Sequence, residues 1–270
     1  MSNWSVVIPT LNEEKTIGFL LRDICNQTKP PEEVIIVDAG STDKTKQVVE
    51  KYIAQLNKEL VTKNVLIKFV ASKPPVGKQR TVGCKLAQFE NVCFFDADVR
   101  LEPNFFKELS ELKQKQGFTT ACPKYIPFSA VANDFQENKN VKVKPAKSQL
   151  HIRAVYAAFN FLFKIGQDRY PSGAGSCIIT TKTVAEKVGW FQAKYLSDDI
   201  AYIRHAAPYG FSMLPLNVYV SDRRWRMYGF FPTLFTYIKM SRAFMKNDFL
   251  SPKTYTYEFG KYEKLSDKNT

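Results

Sequence analysis

The first hundred residues alternate between short apolar runs and stretches with helical spacing. WSVVIP (Trp4 to Pro9), EVIIVD (Glu33 to Asp38), VLIKFVA (Val65 to Ala71) and the run from Val92 to Phe95 each read as a buried strand. Between them, Ile17, Leu20, Leu21 and Ile24 recur at helical spacing after TLNEEKT, and that helix closes before Lys29-Pro30-Pro31. A second helix is predicted to start near Ser41, Thr42 or Asp43, any of which can cap it, and to run to about Leu56; a third spans about Gly77 to Phe89. The β-branched runs have no polar alternation, as expected of parallel strands covered on both faces. Strand and helix alternating with short links predict an α/β fold with a mostly parallel sheet and right-handed crossovers. Ligands of such sheets bind beyond the carboxyl ends of the strands, where Thr10, Asp38 and Asp96 fall.

Beyond Cys122 the alternation loosens. Residues 133–149 are polar and lysine-rich and read as an excursion. His151 to Gly166 is an apolar, aromatic helix, with a core position slightly favoured over contact with a membrane or lipid acceptor. Tyr170 to Thr180 is a loop carrying Gly173 and Gly175 that enters a strand; glycines there allow close backbone approach. Leu196 to Gly210 predicts a short helix with Ser197 as N-cap and Asp198 and Asp199 in its first turn. Acids there favour the helix dipole by about 0.3 to 1 kcal/mol whatever else they do. With successive helical residues about 100° apart, one of the two is expected to face a site. Arg223, Arg224, Trp225 and Arg226 follow a strand, then an amphipathic helix carries Lys239, Arg242 and Lys246; residues 251–270 read as a polar tail.

Composition narrows the partners. The formal charge is +13, from 39 Lys+Arg against 26 Asp+Glu, which suits nucleotide phosphates, nucleic acid or an anionic membrane face. The five cysteines form no CxxC pair and read as buried thiols of a reducing compartment, a pattern that argues against a zinc site. The two histidines, His151 and His205, have no partner at metal-binding spacing and read as structural. No signal peptide is expected ahead of the first strand, and no apolar run approaches the ~20 residues of a membrane span.

The chemistry concentrates in the stretch NVCFFDADVRLEPNFF, where a strand ends in Asp96 and Asp98. While the chain stays extended these carboxylates leave on one side. Their mutual repulsion calls for a cation, and a hard divalent ion that also takes phosphate oxygens, Mn²⁺ or Mg²⁺, fits. An acidic turn leading into a helix near Pro103 is the plainer alternative.

VVIPTLNEE, VIIVDAGSTD, the DAD motif, SDDIAYIRHA and DRRW, in that order, resemble the inverting family-2 glycosyltransferases with the GT-A (Rossmann-like) fold, over about residues 4–230. The segment Gly77 to Gly83 departs at Thr81, where many relatives carry Asn. The resemblance implies a GT-A domain over residues 1–228, with a donor half of about 1–123 and an acceptor half of about 124–228, followed by a helical extension over 229–270. It implies that Pro9, Thr10 and Glu13 line the base and ribose pocket, that Asp38 accepts a hydrogen bond from the base, and that Arg80 lies against base or diphosphate. Asp96 would address ribose and metal, Asp98 would ligate the metal, and Asp199 would be the catalytic base, with Asp198 in place of the usual Glu. Arg223, Arg224 and Trp225 would cover the leaving diphosphate and the acceptor, with Gly173 and Gly175 also on the acceptor side.

Single displacement at an anomeric carbon needs cations for the departing diphosphate and a base for an acceptor hydroxyl, so the chemistry fits these residues. The expectation is a metal-dependent transferase moving a sugar from a nucleotide-diphosphate donor, a UDP-sugar foremost, to a glycan, glycolipid or cell-envelope polysaccharide. A polyprenyl-phosphate hexosyltransferase is the nearest alternative, and a non-catalytic basic scaffold or RNA-binding protein the more distant one. Four acids at the sheet edge argue against a nucleic-acid groove. A nucleotidyltransferase would want a glycine-rich phosphate loop that VIPTLNEE lacks. The expected place is cytoplasmic, with the inner face of the plasma membrane as a candidate surface.

Overall fold

In the computed structural model, residues 2–59, 65–129, 148–192 and 197–245 are described. Most of the lysine-rich excursion, Leu196, Lys246 and the polar tail lie outside them. The described chain builds one eight-stranded sheet in the order β3-β2-β1-β4-β7-β6-β8-β5. The strands are β1 (Trp4–Thr10), β2 (Glu33–Asp38), β3 (Leu66–Ala71), β4 (Asn91–Phe95), β5 (Val99–Leu101), β6 (Thr120–Phe128), β7 (Cys177–Thr181) and β8 (Phe211–Ser221). The helices are α1 (Ile17–Cys25), α2 (Thr45–Glu59), α3 (Val76–Leu86), α4 (Phe105–Gln116), α5 (Leu150–Gly166), α6 (Lys182–Lys187), α7 (Asp198–Ala206), α8 (Arg223–Tyr228) and α9 (Phe230–Met245).

β1 pairs in parallel with β2 and β4, and β2 with β3, as the β-branched runs predict. Every residue of β1 and β2 is buried, because helices cover both faces. Even Glu33 is tolerated at the start of β2, since Ser5, Lys68 and the Gln88 amide satisfy its carboxylate. The pattern changes at β7, which runs antiparallel to both β4 and β6; β6 and β8 then pair in parallel, and β5 caps the edge against β8. This antiparallel seam, which the sequence pattern does not announce, brings the loop before β7 and the N-terminus of α7 beside the carboxyl ends of β1, β2 and β4.

Two close approaches place the site. α3 packs across β1 and β2 through Gly83, where a methyl group would stand 2.3 Å from Val7 Cγ1, so Gln79 and Arg80 one turn earlier lie against the strand ends. α5 departs from expectation: only Ile152 is buried along its 17 residues. It is a surface helix that leans on β6 through Asn160, whose side chain bonds both backbone groups of Tyr125, and through Phe163 against the Tyr125 ring. All five cysteines are buried thiols, as expected. Among the described residues no helix is long and apolar enough to cross a membrane.

Candidate active site

The turns after β1 and β2 are stitched to each other. Asn12 takes the left-handed region (φ 55°) and donates its N–H to Ser41 Oγ at 2.8 Å, while its side-chain oxygen accepts from the Thr42 N–H at 2.8 Å. The Glu13 N–H donates to Thr45 Oγ1, the Glu14 N–H to Asp43, and the Lys44 N–H to the Glu14 carboxylate. None of Ser41, Thr42 and Asp43 is the N-cap: α2 begins at Thr45 after Lys44, whose carbonyl accepts from the Val48 N–H, and Asp43 braces the preceding turn by accepting from the Thr45 N–H at 2.9 Å. Asp38 holds its own turn: its carboxylate accepts from the Gly40 and Ser41 N–H groups at 3.0 and 2.9 Å and from the hydroxyls of Ser41 and Thr10. Thr10 sits opposite Asp38 in the ladder, and Pro9 precedes it, both buried. Gln79, which the sequence does not single out, donates its amide to the carbonyls of Thr10 and Val37 at 2.8 and 2.7 Å and ties the two strand ends to α3.

The two acids of the DAD motif pair with different arginines. The chain turns after Phe95 instead of remaining extended as the sequence reading assumed, yet the two carboxylates stay close enough to act on one another and both act on Arg223. Asp96 Oδ1 lies 3.1 Å from Arg80 Nη2, and Asp98 Oδ2 lies 3.1 Å from Arg223 Nη2. Arg223 also reaches Glu13 Oε1 at 3.4 Å, so the first turn of α8 clasps the loop after β1 to the DAD turn. Burial pushes the Glu13 carboxyl up to about 8, with the Asp98 charge adding and Arg223 opposing. Burial and the Asp96 charge raise Asp98 as well, against Arg223 and Arg224.

Arg80 is 3% exposed. Its Nη1 donates to Asp198 Oδ2 at 3.2 Å, and its Nη2 to Asp96 Oδ1 and to the Gly175 carbonyl at 3.0 Å. Phe191 lies under the guanidinium, stacked in turn on Tyr202. The side chain expected against the donor is thus enclosed by protein. Thr81, beside it, donates its hydroxyl to the Phe191 carbonyl. Both acids of the α7 first turn point into the cluster, because α3 and the loop before β7 flank that helix end on adjacent sides; the expectation that one faces the site is corrected. Asp199 accepts from the Gly175 N–H and from the Ile200 N–H, each at 2.8 Å. Burial raises both carboxyls, Asp198 to about 6 despite Arg80. Ser197 holds the N-cap position without a side-chain capping bond.

The residues expected on an acceptor side are packed. A methyl at Gly173 would stand 2.4 Å from Cys122 Sγ, and one at Gly175 would stand 2.6 Å from Arg80 Nη2 and 2.9 Å from Asp199 Oδ2, so both glycines make room for the protein's own side chains. Tyr125, another residue without a sequence signal, anchors that loop: its hydroxyl donates toward the Ala174 and Cys177 carbonyls and accepts from the Ala174 N–H. Trp225 is 3% exposed and packs against Phe230, Tyr156 and Tyr237, binding α8 to α5 and α9. Its ring serves an aromatic core in this arrangement, while Arg224 beside it is half-buried and near enough to act on Asp98. His151 is structural too, set edge-on to Phe230.

Among the described residues no three His, Cys, Asp or Glu side chains gather as a metal cage. Asp96 and Asp98 fit an ion that takes one or two carboxylates and completes its shell with water and phosphate oxygens, as Mg²⁺ and Mn²⁺ do, and not one that demands a full protein cage.

Carboxylates and arginines converging beyond the parallel strand ends of a mixed, mostly parallel α/β sheet define the GT-A class of architecture. The chain belongs to glycosyl transferase family 2, whose model matches residues 5–184. It is 36% identical over 110 residues to the poly(ribitol-phosphate) beta-N-acetylglucosaminyltransferase TarS of Staphylococcus aureus, covering 40% of this chain and 18% of that protein. It is 23% identical over 224 residues to the chondroitin synthase of Escherichia coli, covering 71% of this chain and 30% of the synthase. The chain thus spans less than a third of either relative. Among solved structures, S. aureus TarS 1-349 in complex with UDP-GlcNAc superposes with a TM-score of 0.55 at 22% identity, over 82% of this chain and 59% of that one. The mannosyltransferase PcManGT from Pyrobaculum calidifontis, in complex with GDP-Man and Mn²⁺, gives 0.60 at 18% identity, over 80% and 56%. At these identities the structures attest the fold.

Proposed function

We propose that this family-2 domain transfers a sugar, with inversion, from a nucleotide-diphosphate donor to a hydroxyl of a glycan or glycolipid. The observation that carries the reading is the placement of Asp199. Its carboxylate is oriented by two backbone N–H groups and lies in one cluster with the acids and arginines at the strand ends. In the displacement, the acceptor oxygen forms the new bond to the anomeric carbon as the bond to the diphosphate oxygen breaks, its electron pair leaving with the diphosphate. The acceptor proton passes to Asp199, whose carboxyl burial raises above the ordinary carboxylate range and so makes a stronger base, and general-base catalysis is worth about 10² to 10⁴-fold. Arg223 and Arg224 neutralise the leaving diphosphate, at roughly 3 to 4 kcal/mol for such a preorganised contact. Asp98, with Asp96, would hold Mn²⁺ or Mg²⁺, which supplies further charge neutralisation at the diphosphate oxygens.

Pro9, Thr10, Glu13 and Asp38 are the residues assigned to base and ribose, and UDP is the nucleotide put first, by the UDP-GlcNAc complex of TarS. The bound GDP-Man and Mn²⁺ of PcManGT keep GDP and the metal under test. The donor half is assigned to about residues 1–123 and the acceptor half to about 124–228. A membrane-borne acceptor is favoured by one further observation. Phe231, Phe235, Ile238 and Met245 form an exposed apolar stripe along α9 with Arg242 among them, and Phe161, Leu162 and Ile165 are exposed on α5. Apolar side chains beside cations suit an anionic bilayer face.

Calorimetric titration of UDP, GDP and dTDP, with and without Mn²⁺, on the wild type and Asp98→Ala tests the donor site. The expected result is metal-dependent binding of one nucleotide, lost in the variant. Absence of binding by all three would overturn the reading.

A further inference from the structure

Arg80 sits at a crossing between the two sides of the site, and the structure leaves its guanidinium no face toward a donor. Asp96 of the DAD turn and the Gly175 carbonyl share Nη2, Asp198 takes Nη1, and the Phe191 ring closes one side. Gly175 is the junction: its carbonyl accepts from Arg80 while its N–H donates to Asp199 Oδ2. The fit is tight enough that a methyl at Gly77 would stand 2.6 Å from Asp198 Oδ2, and one at Gly175 would strike both Arg80 and Asp199.

We propose that Arg80 is a positioning residue that ties Asp96 on the donor side to Asp198 and Gly175 on the acceptor side, and through Gly175 fixes Asp199, with Asp198 serving as its anchor and not as a proton acceptor. The inference deepens the reading of Asp199 as the base and rests on it. Arg80 and Asp198 are buried and Asp96 is half-buried beside them, so removing one member of the set is costly because it strands a charge. A lone structural strut would show that cost in stability alone. A positioning pair would also move Asp199 in opposite directions, because one member is a cation and the other an anion.

The groups that face Asp199 are Arg80 from α3, Asp96 from the turn after β4, Asp198 beside it, the Cys122 thiol from β6, and the Gly175 and Ile200 amides. The test needs no substrate. Protein labelled with carboxyl-¹³C aspartate is titrated by NMR as wild type, Arg80→Gln, Asp198→Asn and the double variant, with Asp199→Asn giving the assignment. Losing the cation should raise the Asp199 midpoint by about one pH unit, and losing the neighbouring anion should lower it, as charges at this range do. The double variant, which removes the buried Arg80–Asp198 pair together and leaves only the half-buried Asp96 without its arginine, keeps the test available should Arg80→Gln fail to fold; there the midpoint should fall between those of the single variants. An Asp199 midpoint unmoved in Asp198→Asn, or one in the double variant no higher than in Asp198→Asn, would overturn the proposal. So would loss of UDP–Mn²⁺ binding in Arg80→Lys with the Asp199 titration unchanged, which would make Arg80 a donor ligand. Should the wild type bind no nucleotide, the transferase reading fails while the titration still decides the role of Arg80.

Discussion

The proposed donor and acceptor sides of the site are built by different means. On the donor side, consecutive residues of two short motifs bond to one another: Asn12 with Ser41 and Thr42, Glu13 with Thr45, Glu14 with Asp43 and Lys44. The parallel strands deliver these turns in register, and the turns lock themselves. On the acceptor side nothing local suffices. Asp199 is held by Gly175, Gly175 by Arg80, and the loop around them by Tyr125, residues drawn from α7, the loop before β7, α3 and β6. The first side shares its hold among several parallel bonds between two turns 29 to 32 residues apart in the chain and tolerates loss of one, whereas a side built from a buried relay does not.

The largest effect expected is at the relay's end. Asp199→Asn should lower kcat by about 10² to 10⁴-fold while leaving nucleotide affinity unchanged, measured as release of nucleoside diphosphate from the sugar nucleotide whose nucleotide binds. Near-full turnover would point to an acceptor that is already ionised, such as a lipid phosphate. On the stitched side, Asn12→Ala forces alanine into the left-handed region and deserts the Thr42 N–H. It should cost about 2 kcal/mol in urea unfolding, and Asn12→Gly, which relieves only the backbone, should cost less. The smallest structural effect belongs to the face that neither side uses. Phe235 is 67% exposed, so Phe235→Ser should leave stability within about 0.5 kcal/mol. The same change should weaken sedimentation with phosphatidylglycerol vesicles at low salt by several-fold; unaltered binding would remove α9 from the membrane proposal.

The donor-side comparison also explains what was readable in advance. Strand and turn are encoded within a dozen residues, so β1, β2, β4 and the positions of Thr10, Asp38 and Asp96 follow from apolar runs and strand-end polarity. The pairing of Asp96 with Arg80 and of Asp98 with Arg223 was not readable, because the two arginines come from α3 and from the helix that follows β8. α5 illustrates the opposite failure. Its apolar composition suggests a core helix, but only Ile152 is buried, since composition reports what a helix could bury and not what is placed against it. Gln79 and Tyr125 carried no signal at all: a lone glutamine on a helix or a lone tyrosine on a strand gains its role only from the carbonyls it meets.

By itself, then, the sequence determined the parallel α/β half and the polar residues at its strand ends that the proposed site draws on, because each depends on periodicity or on where an apolar run stops. The tertiary structure alone decided the antiparallel seam at β7, the enclosure of Arg80 and the burial of Trp225. It also decided that both Asp198 and Asp199 enter the cluster. Those outcomes are set by contacts between residues distant in the chain, where the balance of desolvation and pairing depends on what packs alongside and no local pattern records it.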